Sequence, residues 1–204
     1  MPPTDTQSAA PEARQTVTSE AVLDAALTLF AERGYHGTAL SQIAERLGIR
    51  TPSLYNHMRS KQELLETLVA ATLRDVLTDF HGAVADSEDP VVQLRAATRV
   101  YALRHATHRR EALVVNRDTT SLPEPALTEM RERRREHERA IRSIIMRGIE
   151  CGAFAVGNAG LASFAILEMS VSIARWFRED GPRTAEQVAD EYAEFALRIC
   201  RYRG

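Results

Sequence analysis

Between Thr38 and Lys61 the apolar positions recur with helical spacing. Leu40, Ile43, Ala44 and Leu47 lie three or four residues apart, which gives a short segment one apolar and one polar face. Gly48 supplies a residue that stops a helix in the left-handed conformation. Thr51 then stands at an N-cap position and Pro52 at the first helical position, where its missing N–H costs nothing. The second predicted helix, Pro52 to about His57, is short and presents Ser53, Tyr55, Asn56 and His57 around a core Leu54. A helix that small, led by hydroxyl, amide and cationic side chains, suits the DNA major groove.

The rest of the chain also follows a helical period. A first helix is predicted from about Val17 to Arg33, with Val22, Ala26, Leu29 and Phe30 on one face and Gly34 as its stop. Ser60 and Glu63 form a capping-box pattern that starts a long helix with Leu64, Leu65, Leu68, Thr72, Val76 and Phe80 on its apolar face. Further helices are expected at Val91 to about His108, Arg110 to Thr119, Ala126 to Cys151, Leu161 to Arg178, and from Thr184 onwards. In the run from Glu129 to Arg142 nearly every residue is charged. Its i,i+4 pairs Glu129–Arg133 and Glu138–Arg142 predict a solvated face. The expected class is therefore all-α, with about nine helices. The divisions are a disordered tail over 1–15, a three-helix helix-turn-helix domain over 16–60, and a second helical domain over 61–204.

Charge sharpens the picture. The 204-residue chain has a formal charge of −2. From Arg33 to Lys61, however, five basic residues face the single acid Glu45, a local net charge of +4. A local basic patch on a mildly acidic chain fits a dedicated phosphate-facing surface. At 44% hydrophobic residues the chain can build a sizeable core. The candidate span Leu161–Phe177 is broken by Glu168 and Arg175, so no membrane crossing is expected. The start of the chain lacks a signal-peptide pattern, and Cys151 and Cys200 form no metal or redox motif, which predicts a cytoplasmic protein.

The landmarks Phe30, Gly34, Thr38, Ile43, Ala44, Gly48, Leu54, Tyr55, His57, Ser60, Lys61 and Leu64 together resemble the DNA-binding signature of the TetR family of transcriptional regulators. The resemblance covers about the first third of the chain. Met58 departs from it, standing where the family usually has an aromatic residue; as adaptable apolar filler it predicts altered packing with binding retained. By position, the resemblance implies that Thr38 meets a phosphate from the start of its helix, and that Arg50, Thr51 and Ser53 reach base edges or nearby phosphates. Tyr55 and His57 would contact phosphate and sugar, and Lys61 would pair with a phosphate. It also implies that 61–204 is a ligand-binding and dimerisation domain, and that the chain is a ligand-responsive repressor acting as a homodimer on a palindromic double-stranded operator. The two dimer helices are expected at 161–178 and 184–201, whose apolar surface exceeds one solvated face's need.

Ligand chemistry is less legible. Leu103, Leu113, Met130, Ile145, Phe164, Met169 and Trp176 are candidate lining residues, although aromatics and methionines at helical spacing also serve as plain core. The segment Ile173–Gly181 resembles regulators of fatty-acid or steroid catabolism that sense acyl-CoA thioesters. In that reading Arg175 and Arg178 meet phosphates and Trp176 packs on the ligand; in the other, the arginines offset a helix dipole. A sensor of drugs or other lipophilic ligands is the alternative within the same architecture. A helical interaction module with no DNA role is the alternative from another class. His105 and His108 share a helical face and could join His81 or Glu111 at a metal, but no four-ligand motif appears. There is no glycine-rich phosphate loop and no nucleophile elbow, so neither an enzyme nor a cofactor is expected.

Overall fold

The computed structural model describes residues 17–202. The tail expected over 1–15 lies outside the described residues. Among those described there are nine α-helices and no strand. They are α1 (Ser19–Arg33), α2 (Leu40–Arg46), α3 (Thr51–Leu54), α4 (Lys61–Val84), α5 (Pro90–Thr107), α6 (Arg109–Arg117), α7 (Ala126–Glu150), α8 (Ala159–Trp176) and α9 (Ala185–Ile199). A short 3-10 turn, Thr119–Ser121, joins α6 towards α7.

Local chemistry explains most of the boundaries. The Thr18 hydroxyl accepts from Ala21 N–H at the start of α1, and Gly34, at φ 82°, ends it. Gly48, at φ 67°, makes the turn after α2 in the left-handed region that favours glycine. Thr184 and Gln187 form a reciprocal capping box at α9. Two details differ from the sequence expectation. Thr51 is the first residue of α3, the N-cap being Arg50, and Tyr55 to His57 continue as turn because the helix closes after Leu54. At α4 only half of the expected box forms: Ser60 Oγ accepts from Glu63 N–H, while the Glu63 carboxylate accepts from Arg59 N–H.

Two main cores organise these helices. The first gathers Phe30, Ile43, Leu54, Met58, Leu65, Leu73, Val114, Val115 and Met130, so α6 and α7 contribute to the same core as the helix-turn-helix. The second joins Phe80, Leu94, Ile141, Ile145, Ile166 and Leu197 of α4, α5, α7, α8 and α9. The α7–α8 turn needs a glycine: a Cβ on Gly148 would stand 2.1 Å from the Phe154 ring. The run from Glu129 to Arg142 is not wholly solvated. Met130, His137, Glu138 and Ile141 are buried, and Glu138 is satisfied by Ser163 Oγ at 2.6 Å and Arg142 at 2.5 Å.

Candidate nucleic-acid interface and ligand cavity

α3 is anchored by Leu54, which is fully buried, with Met58 behind it in the same core. That anchor turns the polar side of the segment outward. Arg50, Tyr55 and Asn56 are exposed, Tyr55 at 57%, and Thr51, Ser53 and His57 are partly exposed. The exposed tyrosine beside the fully buried leucine leaves its ring and hydroxyl accessible from outside. Six of the eight residues expected to face DNA are thus at least partly exposed along this segment.

Thr38 and Lys61 stand apart from that set. Thr38 is buried, and its hydroxyl lies 3.1 Å from the Leu29 carbonyl and 2.9 Å from that of Gly34. Its side chain ties α1 to the start of α2 and offers no exposed hydroxyl. Lys61 Nζ donates to the carbonyls of Tyr35 at 2.9 Å and Thr38 at 2.8 Å, and lies 4.4 Å from the centre of the Tyr35 ring. Two of its three N–H groups are therefore committed to holding the turn before α2. Only the third is free to meet an anion.

A second feature lies in the C-terminal bundle: a cavity of about 200 Å³ bounded by α4, α5, α6, α7 and α8. Leu73, Val76, Leu77, Val115, Leu167 and Val171 form much of its apolar wall. Arg134, Asn116, His108, Phe164 and Glu168 are exposed and mark its opening. Inside, Tyr101, His105 and His137 make contiguous edge-to-face contacts, with ring centres 4.4 Å and 4.8 Å apart. Burial, reinforced by Arg104 and Arg134, pushes His105 down to about 4. Burial, with His105 and His81 nearby, does the same to His137. Burial also raises Tyr101 to about 12. These three groups are therefore neutral at physiological pH. Arg104, beside them, is tied to Asp79 at 2.6 Å and Asp75 at 3.2 Å.

Of the nine residues expected to line a ligand site, only Phe164 borders this cavity. Ile145 is fully buried in the second core, with Met169 packed against it, and Met130 belongs to the first core. Leu103 packs with the α5–α8–α9 cluster, and Leu113 is partly buried on α6 without reaching the cavity. Arg175 and Trp176 are exposed at the end of α8, and exposed Arg178 pairs with Asp180 at 2.8 Å. The sequence reading missed His105 and His137 as lining residues. The available signal was a histidine on the apolar stripe of α7, four residues before Ile141 and seven after Met130. Among the described residues, no group of three or more His, Cys, Asp or Glu is placed to hold a metal ion. None of the described helices is long and apolar enough to cross a membrane.

Helix α6 joins the two regions. Arg110 pairs with Asp24 at 3.0 Å and donates to Thr28 Oγ1 at 2.7 Å. Arg117 donates to the carbonyls of Phe30 and Ala31 at the end of α1 while pairing with buried Asp118 at 3.1 Å. Leu73 of α4 and Val115 of α6 both wall the cavity and belong to the core that supports α3.

Comparison with known proteins agrees with this layout. Residues 22–68 match the profile of bacterial regulatory proteins of the tetR family. Residues 87–200, more than half the chain, match the tetracyclin repressor-like C-terminal domain. The HTH-type transcriptional repressor KstR2 of Rhodococcus jostii is 29% identical over 178 residues, covering 86% of this chain and 87% of the relative. The structure of the ketosteroid transcriptional regulator KstR2 of Mycobacterium tuberculosis superposes with a TM-score of 0.83 at 26% identity, covering 91% of this chain and 96% of that one. AibR, solved with isovaleryl coenzyme A and operator DNA, shares the fold at TM-score 0.79 and 24% identity, over 87% of this chain and 96% of its own. The chain therefore belongs to the TetR family of transcriptional regulators, with an N-terminal helix-turn-helix and a C-terminal ligand-binding domain.

Proposed function

We propose that the chain is a ligand-responsive repressor whose effector is a small hydrophobic molecule of the acyl-CoA or related lipid and steroid-catabolite class. The observation that carries the reading is the double duty of Leu73 and Val115. A ligand that moves either side chain disturbs the core on which Leu54 and α3 rest. DNA recognition is assigned to Arg50, Thr51, Ser53, Tyr55, Asn56 and His57, with Lys61 contributing its remaining N–H and Thr38 acting as a positioning residue.

The ligand class is supported by the shape of the cavity and by the relatives. Pockets for small molecules usually span about 300–1,000 Å³, so a void of about 200 Å³ suits the apolar part of a larger amphiphile. Arg133 and Arg134 at its edge suit an anionic remainder. KstR2 is named for ketosteroids, and AibR demonstrates that this fold can hold a CoA thioester and operator DNA.

Dimerisation is assigned to α8 and α9. Leu161, Phe164 and Trp176 are exposed at 69%, 56% and 49% along α8, and Phe195 is exposed on α9. The Trp176, Tyr192 and Phe195 rings form a continuous aromatic run, with centres 6.4 Å and 5.7 Å apart. An apolar stripe of this kind fits a two-fold four-helix interface. The dimer would set two α3 segments in major grooves about 34–36 Å apart.

The test is fluorescence polarisation on DNA from upstream of the protein's own gene, across salt, with acyl-CoA thioesters, free fatty acids, steroids and drugs. Salt-sensitive binding released by a thioester or steroid is the expected result. Release by drugs alone would replace the ligand class. No specific binding by folded dimer at any salt would refute the regulator reading.

A further inference from the structure

The three neutral rings inside the cavity pack edge to face with one another, and His137 also with Phe80, but their polar atoms are not accounted for by that packing. Tyr101, His105 and His137 bring hydrogen-bonding atoms into a cavity whose wall combines leucine and valine with polar and charged side chains, among them Thr72, Arg104, Glu111 and Glu138. His137 is 5% exposed, and its Nε2 is buried with no hydrogen-bond partner. An unsatisfied buried polar group is costly and calls for an explanation. His105 is also committed in its tautomer: its Nδ1 lies 2.8 Å from the Tyr101 carbonyl, which can only accept, so Nδ1 carries the proton. Its Nε2 is then a bare acceptor, because the ring is neutral. The Tyr101 hydroxyl can donate or accept, and Tyr101 lines the cavity.

We propose that the inner end of this cavity is a subsite for a hydroxyl group on the ligand's apolar body, held by His105, His137 and Tyr101. A hydroxyl both donates and accepts, so it can give its proton to His105 Nε2 and take a hydrogen bond from Tyr101 or His137. A carboxylate or phosphate is disfavoured there: no ring carries a charge to offset the anion, Glu111 and Glu138 also line the cavity, and Arg104, although its Nε is unpartnered, is already ion-paired with both Asp75 and Asp79. The anionic part of an amphiphile is instead directed to the opening, where Arg134 is exposed. The subsite accordingly selects, among hydrophobic effectors, those hydroxylated at the end remote from the charged group. This inference rests on the effector reading above.

The test is calorimetric titration of the full chain with three matched probes: cyclohexylpropanoyl-coenzyme A, the same thioester with a ring hydroxyl opposite the chain, and the corresponding ketone. One neutral hydrogen bond predicts that the hydroxylated probe binds about three- to tenfold more tightly than the unsubstituted one, with the ketone between them. In His137→Phe and in Tyr101→Phe the preference falls towards unity while the unsubstituted probe keeps its affinity. Tyr101→Phe removes only a hydroxyl, so it remains informative even where His137→Phe disturbs the ring cluster. Equal affinities in the wild type overturn the subsite and leave the thioester reading standing. A preference that survives both substitutions overturns the assignment to these residues. Failure of all three probes to bind overturns both the subsite and the thioester reading.

Discussion

The paired histidines make acid sensitivity the sharpest quantitative expectation. His105 and His137 are each held near 4 in the folded protein, against an ordinary value of 6.5. Between those limits the unfolded chain binds protons that the folded chain refuses. Stability therefore rises with pH across this window, is fully present above 6.5, and is lost progressively as pH falls towards 4. For one such group the loss between about pH 7 and about pH 5 is about 2 kcal/mol. The two sites interact, His105 being one of the groups that lowers His137, so their losses do not simply add. The assay is urea denaturation at both pH values and fixed protomer concentration, on wild type and on His137→Phe, whose ring can keep the edge contacts to Phe80 and Tyr101. The variant's acid-induced loss should be smaller by about 2 kcal/mol. Equal losses would refute the claim that His137 is buried and neutral. Direct imidazole titration by NMR gives an independent reading: a midpoint near the ordinary 6.5 would refute that claim equally.

Four further outcomes are expected. Leu54→Ala should destabilise the protein by about 2–5 kcal/mol in denaturant melts, since this leucine is fully buried under α3. Arg50→Ala and Tyr55→Ala, on exposed side chains, should shift stability by no more than about 0.5 kcal/mol while weakening operator binding, Arg50→Ala also lowering the salt slope by about 1. Arg117→Met removes the bonds to the Phe30 and Ala31 carbonyls and leaves buried Asp118 without its cation, so chemical denaturation should show a loss of about 1–3 kcal/mol. Gly148→Ala drives a methyl group into the Phe154 ring and should cost about 1–3 kcal/mol, part of it recovered in the double variant with Phe154→Leu.

The helices were legible because their punctuation is local. Thr18, Ser60, Asn158 and Thr184 accept at helix starts, and Gly34 and Gly48 take positive φ at helix ends, all within a few residues of the chain they terminate. The exposure of Arg50, Tyr55 and Asn56 was legible for the same reason, since the buried Leu54 and Met58 stand among them in the chain. The roles of Lys61 and Thr38 were not, because their partners lie 23 and 9 residues away and depend on the packing of α1 against α2. The cavity was harder still. Its walls come from five helices, and side-chain type does not separate a lining residue from core: Ile145 and Val115 look alike in the sequence, yet only Val115 meets the void. Glu138 shows the limit of charge patterning, since an i,i+4 pair looks solvated until Ser163 of another helix takes the same carboxylate inside.

In the proposed mechanism, coupling between cavity and DNA would depend on where rigidity is placed. Helix α4 runs from the DNA-binding domain into the bundle, which makes it a candidate lever. Helix α6 also connects the two regions, through Arg110 and Arg117 to α1 and through Val115 to the cavity. Arg104 of α5 grips Asp75 and Asp79, which fixes the middle of α4 beside the cavity. Arg110 and Arg117 fix both ends of α6 to α1. In the proposed mechanism, a ligand that displaces Leu73 and Val115 meets a fixed segment on the α5 side, so the displacement passes towards α1 and the N-terminal half of α4. Close-packed cores shift between discrete arrangements more readily than they deform continuously. The ligand must therefore bind a second arrangement more tightly than the DNA-bound one, and a difference of about 1–3 kcal/mol weakens operator binding about 5–150-fold. Cutting the α6 link with Arg117→Met should then reduce ligand-induced release without reducing ligand affinity by the same factor. Release that stays fully coupled in that variant would return the lever to α4 alone.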